Sequence, residues 1–287
     1  MDDIKRALLG DHEAAKRLTE AGVLVMQGDC LELLKDIPDD SVDMVLCDLP
    51  YGTSSNRWDK IIPFEPLWEE YGRITKANSA IVLFGCEPFS TKLRMSNIRH
   101  YKYDWIWDKR AVNGFLNAKK RPLKRYENIC VFSFQTPPYY PQMEVRGRPR
   151  KKGNYNKKVG NGDGVYGAYK NVTTENNEYY PTDILYFSNA QRAKKLHPTQ
   201  KPVPLLEYLI RTYTNRGMTV LDNCMGSGTT GVACVNTGRK FIGMELDPGY
   251  FEVAKRRIRE AQAQARLAWN TRAPILSAEE LEELSHG

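Results

Sequence analysis

The chain has 287 residues, 41% of them hydrophobic and 27% charged, with a net charge of +7. That length and mix suit a globular protein with one sizeable core and room for a smaller module. No apolar run approaches the roughly 20 residues needed to cross a bilayer. Met1, Asp2 and Asp3 begin no signal-peptide pattern, and six scattered cysteines and four histidines show neither a CxxC pair nor the spacing of a metal cage. A membrane span, export, a disulfide framework and a metal centre are therefore not expected, and a reducing cytoplasm suits the chain.

Residues Asp3 to Ala21 read as an amphipathic helix (Ile4, Leu8, Leu9, Ala15, Leu18) stopped by Gly22. "GVLVMQGD" reads as a strand, "CLELLKDI" as a short helix and "VDMVLCD" as a second strand. The helix "PFEPLWEEYGRIT" then leads to the strand "SAIVLFG", and the helix "PFSTKLRMSNI" to the strands "YKYDWIWDK" and "ENICVFSF". From about 136 to 195 Pro, Gly, Asn and Lys dominate without a usable period, which predicts an irregular module. Order resumes at "HPTQKPVPLLEYLIRTYT", where Pro202 starts a helix. "MTVLDNC" is a strand, "GTTGVACVNTG" a helix, "KFIGMELD" a strand and "PGYFEVAKRRIREAQAQARLAW" a long helix, before a tail from Asn270 that turns acidic.

Strands alternating with helices predict an α/β fold, a largely parallel sheet covered on both faces. Ligands of such sheets sit at the carboxyl ends of strands, beside a topological switch point. Asp29, Asp48, Gly85, Asp222 and Glu245 all fall at such ends. An acid and an exposed ring at Asp48 and Tyr51 cost stability there, which marks them for use. The plainer reading is an N-cap and a turn.

Charge is concentrated in one place. Between Gln135 and Leu196 eleven Lys and Arg stand against five Asp and Glu, and the rest of the chain holds 31 against 30. The same stretch carries eight of the sixteen tyrosines. A basic, aromatic segment suits a polyanion with bases to stack on; a solvated surface loop is the alternative.

"VLDNCMGSGTTG" runs from a strand into a helix with Gly226, Gly228 and Gly231 in GxGxxG spacing. Glycines let the backbone turn sharply beside a ligand, and the helix N-terminus offers free N–H groups. Glu245, ending the next strand, can accept from ribose hydroxyls. The loop lacks the Lys-Ser/Thr of a phosphate cradle, which leaves a dinucleotide or S-adenosylmethionine. Asp222 suits the second, because its charge opposes a pyrophosphate and attracts an ammonium.

Together these stretches resemble a known family. "DLPYG" is similar to the D-P-P-Y motif of DNA methyltransferases acting on exocyclic amines. "DNCMGSGTT" is similar to their D-P-F-x-G-S-G-T-T cofactor loop, and "HPTQKP" to the H-P-(T/A)-(Q/E)-K-P element before that loop. "FIGMELDPGYFEVAKRRI" resembles the segment after it. The order of the motifs is that of the β-group, over roughly residues 22–135 and 196–262. The resemblance implies a doubly wound, mostly parallel, seven-stranded Rossmann-like sheet with its cofactor strand beside the catalytic one. Residues 22–135 form its catalytic half and 196–262 its cofactor half. Position and charge make 136–195 the target-recognition insert. The N-terminal helix, 1–21, and the C-terminal tail, 263–287, receive no role.

By resemblance Asp48 and the carbonyl of Leu49 accept the two N–H bonds of the target amine, Pro50 stiffens the turn, and Tyr51 stacks on a flipped base. Asp222, Asn223, Gly226, Ser227, Gly228, Thr229 and Thr230 form the cofactor loop, with Glu245 on the ribose. Asp29 lies near the cofactor's adenine or only caps a helix. His197 and Lys201 meet its methionine end or only shape a turn. Lys109, Arg110, Lys119, Lys120 and Arg121, with Lys124 and Arg125, form a basic run that grips phosphates or is merely solvated. In the insert Arg146, Arg148, Arg150, Lys151 and Lys152 do the same. Trp105 and Trp107 read as packing. Two departures stand out: Leu49 replaces a proline, and Asn223-Cys224 replaces Pro-Phe.

The implied activity is site-specific methyl transfer from S-adenosylmethionine to the N6 amine of a flipped adenine in double-stranded DNA. Asp at the head of the motif leans to adenine; the N4 amine of cytosine and a non-catalytic DNA-binding role stay open. The resemblance admits a homodimer and a partner restriction endonuclease and fixes neither.

Overall fold

The computed structural model describes residues 22–52, 59–153, 173–188 and 200–272. The helix expected over 3–21, His197 and the acidic tail lie outside them. Two compact units form, Pro141–Thr182 and the remainder. The larger holds β1 (Val23–Gln27), α1 (Cys30–Leu34), β2 (Val42–Cys47), α2 (Phe64–Ile74), β3 (Thr75–Gly85), α3 (Phe89–Ser96), β4 (Tyr101–Asn113) and β5 (Lys124–Phe132). The smaller contributes β6 (Glu144–Lys152) and β7 (Thr174–Tyr179). The larger then resumes with β8 (Ile184–Tyr186), α4 (Val203–Tyr213), β9 (Thr219–Asp222), α5 (Thr229–Thr237), β10 (Lys240–Glu245) and α6 (Pro248–Arg272).

The sheet runs β1-β10-β9-β2-β3-β5-β4-β8. The first five strands are parallel, and β5 lies antiparallel to both β3 and β4. All seven expected strands are present. The three-residue β8 adds an eighth, pairing Ile184 with Ile106 at the edge. It is too short to show a period in the sequence.

Alternation along each strand divides two cores. Met44, Leu46, Val82 and Phe84 face one side, where α4, α5 and α6 pack. Val45, Cys47, Ile81 and Leu83 face the other, under α1, α2 and α3. Strands buried on both faces read as near-continuous apolar runs, which is why "VDMVLC" was legible. β9 lies beside β2 in parallel, Val45 opposite Leu221, so residues separated by half the chain reach one sheet edge. From these two strands the chain winds outward in opposite directions, the switch point at which such folds hold ligands.

The smaller unit corrects an expectation. Its residues pair as an antiparallel ribbon with a register shift between Val145 and Arg150. β6 is exposed along most of its length, so no buried face imposes a period of two. Pro149 sits in the shifted stretch, where a missing N–H costs no ladder bond. Arg146 and Lys152 lie over the Tyr179 ring, 5.5 and 3.5 Å from its centroid.

Candidate active site

β9 ends at Asp222, and the chain turns through Asn223–Gly228 into α5. Gly226 and Gly228 take φ of +52° and +75°, left-handed backbone that glycine adopts cheaply. A Cβ on Gly228 would lie 2.8 Å from that of Ala254, so α6 also requires the bare backbone. Three side chains pin the turn. Glu245 accepts the Gly226 and Asp247 amides, each at 2.8 Å. Asp222 accepts the Cys224 amide at 3.1 Å and the Thr230 hydroxyl at 2.5 Å. Arg257 of α6 donates to the Ser227 carbonyl at 2.5 Å and its hydroxyl at 2.9 Å. Burial raises the Asp222 carboxyl to about 6 and lifts Glu245 above its ordinary range. Asn223 accepts the hydroxyl of buried Tyr71 at 2.7 Å, a pairing the usual proline could not make.

Asp48 stands one residue past β2. Its Oδ1 accepts the Tyr51 hydroxyl at 2.6 Å, and its Oδ2 the Lys201 ammonium at 2.5 Å. Buried Lys201 also reaches Glu127 at 3.3 Å, and Glu127 pairs with buried Lys109. Two ammoniums and two carboxylates thus balance where a single unpaired charge would be strongly destabilising. Burial pushes the Asp48 carboxyl up further than Lys201 draws it down. Burial acts on Glu127 the same way, but there Lys201 and Lys109 prevail and hold it below its ordinary range. Burial disfavours the Lys201 ammonium, yet Asp48 and Glu127 keep it protonated. The Tyr51 ring stacks on Phe89, centroids 4.9 Å apart.

A cavity of about 570 Å³ joins these two places. Asp48, Leu49, Pro50 and Tyr51 line it from one side. Asp222, Asn223, Gly226, Ser227, Thr229, Thr230 and Glu245 line it from the other, with Asp29 and Lys201 between. Gly228 shapes the turn without lining the cavity. Gly85 ends β3 outside it, and its neighbour Phe84 takes the place at the wall. Asp29 caps α1 through the Leu31 amide at 2.9 Å and also lines the cavity. Trp105 and Trp107 are buried in the core.

Two expectations change. Lys109 was read as a phosphate grip; it is buried against Glu127 and presents no ammonium to a backbone. Lys201 was read against the cofactor or a turn, but its ammonium is committed to Asp48, 153 residues away in sequence. Arg110, Lys119, Lys120 and Arg121 are exposed, as are Arg146, Arg148, Arg150 and Lys151, while Lys152 is half-buried. Glu127, Phe89, Tyr71 and Arg257 were missed as site residues. Glu127 opens the predicted strand "ENICVFSF"; an acid at that end was visible, but its two lysines were not.

The layout is that of a Rossmann-like sheet with a cavity at its switch point. Residues 42–256 match the N6/N4 methyltransferase family described as DNA methylase. The chain belongs to that family. It is 27% identical over 264 residues to the type II methyltransferase M.HinfI of Haemophilus influenzae, covering 82% of this chain and 68% of that one. It is 28% identical to the DNA adenine methyltransferase YhdJ of Escherichia coli K12, covering 82% of each. The solved complex of M1.HpyAVI with SAM superposes with a TM-score of 0.56 at 25% identity, over 82% of this chain and 99% of that one. The cytosine-N4-specific PvuII DNA methyltransferase superposes at 0.58 with 17% identity, over 85% and 92%, a likeness of fold.

Proposed function

We propose that this DNA methyltransferase moves a methyl group from S-adenosylmethionine to the exocyclic N6 amine of an adenine swung out of duplex DNA. The observation that carries the reading is the single cavity shared by Glu245 and Tyr51, with Asp48 at its wall. The residues fit the cofactor. A volume of about 570 Å³ lies in the range of small-molecule sites. The Gly226 turn allows close backbone approach, and Glu245 keeps lone pairs for hydroxyl donors beyond its two amides. Asp29, Asp222, Asn223, Ser227, Thr229, Thr230 and Glu245 would hold it. Bound there, S-adenosylmethionine supplies an electrophilic methyl group on sulfur.

The protein's own part is positioning and charge. An exocyclic amine is a poor nucleophile because its lone pair is spread into the ring. Asp48 and the Leu49 carbonyl accept its N–H bonds and favour a pyramidal nitrogen facing the methyl carbon. The nitrogen sheds one proton when it gains the methyl group, and Asp48, raised by burial, suits its receipt. Tyr51, backed by Phe89, offers a stacking surface for the extruded ring. The insert at 136–195 serves in this reading as the target-recognition module, with Arg146, Arg148, Arg150 and Lys151 exposed on its β6–β7 ribbon. Adenine is favoured by Asp at the head of the motif and by the likeness to YhdJ.

Incubation with tritiated S-adenosylmethionine and mixed-sequence duplex DNA should label adenine. Label in cytosine would replace adenine by the N4 reading, and no label would overturn both. Asp48→Ala should abolish turnover and leave cofactor binding near wild type.

A further inference from the structure

β4 and β5 run past the sheet's carboxyl edge as a hairpin. Trp107 pairs with Glu127, whose carboxylate reaches the Lys201 that holds Asp48. Asn113 pairs with Lys124, three residues further out, about 10 Å at the rise of a strand. Beyond that pair the chain closes through Gly114, at φ +86°, into a short 3₁₀ turn, Phe115–Asn117. The turn is ordered by its own backbone: Asn117 donates to Gly114, Ala118 to Phe115, and Lys120 and Arg121 to Asn117, at 2.9 to 3.0 Å. On this firm turn Phe115 is 80% exposed and Leu116 98%, the two most exposed large hydrophobic side chains among the described residues.

An apolar pair held out in water next to a catalytic rim calls for an occupant, and the surrounding charge selects one. The hairpin carries Arg110, Lys119, Lys120, Arg121, Lys124 and Arg125. The centre of a protein–protein interface is poor in lysine. Apolar side chains flanked by cations are instead the arrangement that enters a base step while the cations take phosphates.

We propose that this hairpin tip is a wedge for duplex DNA: Phe115 and Leu116 enter the base stack at or beside the target step, and Lys119, Lys120 and Arg121 hold the adjoining phosphates. The proposal rests on the DNA-methylating reading above and adds the device that opens the stack. A base leaves a duplex only if its stacking is lost, and a side chain in the gap stops it falling back. The tip's place at the rim, beyond Glu127, puts the wedge on the side from which the base must enter.

The test uses the full-length chain, with Phe115→Ala/Leu116→Ala compared against Lys119→Ala/Lys120→Ala/Arg121→Ala. Two readouts are taken on one mixed-sequence plasmid: methyl transfer from tritiated S-adenosylmethionine, and the linking-number change when bound, nicked plasmid is religated. The apolar variant should bind within about threefold of wild type, unwind no plasmid and methylate at least tenfold more slowly. The basic variant should lose affinity, with a salt slope shallower by about 3, near 0.9 for each phosphate contact. Wild-type unwinding and methylation in the apolar variant would overturn the wedge. So would a lowered Tm, which would mean the tip packs on the protein, or a dimer in wild type that this variant dissolves, which would make the occupant a second copy. Absence of methylation by the wild type itself would sink the enzymatic reading instead, and the unwinding measurement distinguishes that failure.

Discussion

Asp48 and Asp222 end neighbouring strands of one sheet, both sheltered from water, yet they are held by opposite means. Asp222 has neutral donors only, the Thr230 hydroxyl and the Cys224 amide, both from the turn it organises. Asp48 has a cation, and that cation arrives from 153 residues away. Local donors fix a shape, because each bond closes a small ring of chain. A distant ammonium shared with Glu127, which Lys109 also pairs, sets a protonation state instead. On the proposed function, the difference separates a carboxylate that builds the cofactor turn from one whose charge the chemistry would use.

Removing the cation is the largest disturbance. Lys201→Met leaves Glu127 paired with Lys109 and takes from Asp48 the ammonium that holds it. Without Lys201 the Asp48 carboxyl loses the charge that draws it down, so its pKa rises and less is ionised at neutral pH. We expect kcat to fall by roughly 10²–10³, as when one preorganised electrostatic partner is lost, and the acid limb of the kcat profile to move to higher pH. Unaltered kcat and an unmoved limb would mean the pair is only structural.

Glu127→Gln should act in the opposite direction and more weakly. The Glu127 charge raises the Asp48 carboxyl; without it Asp48 ionises at lower pH, and the acid limb moves down. A kcat loss of about tenfold is expected, with a lower Tm because Lys109 loses its partner. Limbs that shift the same way in both variants would refute the assignment of Glu127 as the group that tunes Asp48 through repulsion.

The same contrast explains what could be read from the sequence. The cofactor turn is local: Asp222, Gly226, Gly228 and Thr230 lie within nine positions, so spacing alone carries the geometry. The apolar runs of β2 and β3 likewise announce strands buried on both faces. Glu127 was not legible as a site residue, and Lys109 was read as a phosphate grip and not as its partner, because their burial depends on the register of β4 with β5 and on Lys201 reaching across the sheet edge. The β6–β7 ribbon was missed for a different reason. Hydrophobic periodicity records a buried face, and a solvent-exposed ribbon of Arg, Lys and Asn has none to record.

At the other carboxylate the effect falls on stability and not on turnover, so pH tests the contrast in the unliganded protein. Asp222 is raised from an ordinary 3.8 to about 6 by burial, so the folded chain binds this proton more tightly than the unfolded one. Its contribution to stability is therefore fullest below pH 4 and is lost as pH rises through 6, by an amount on the order of 3 kcal/mol at most. Asp222→Asn removes that titration. The amide has one acceptor oxygen for two donors, which lowers stability by about 1 kcal/mol at every pH. The variant should thus start below wild type at pH 4 and gain on it steadily to pH 7. A Tm difference that stays constant over that range would show that Asp222 is not strained by its burial, and the distinction from Asp48 would then rest on Lys201 alone.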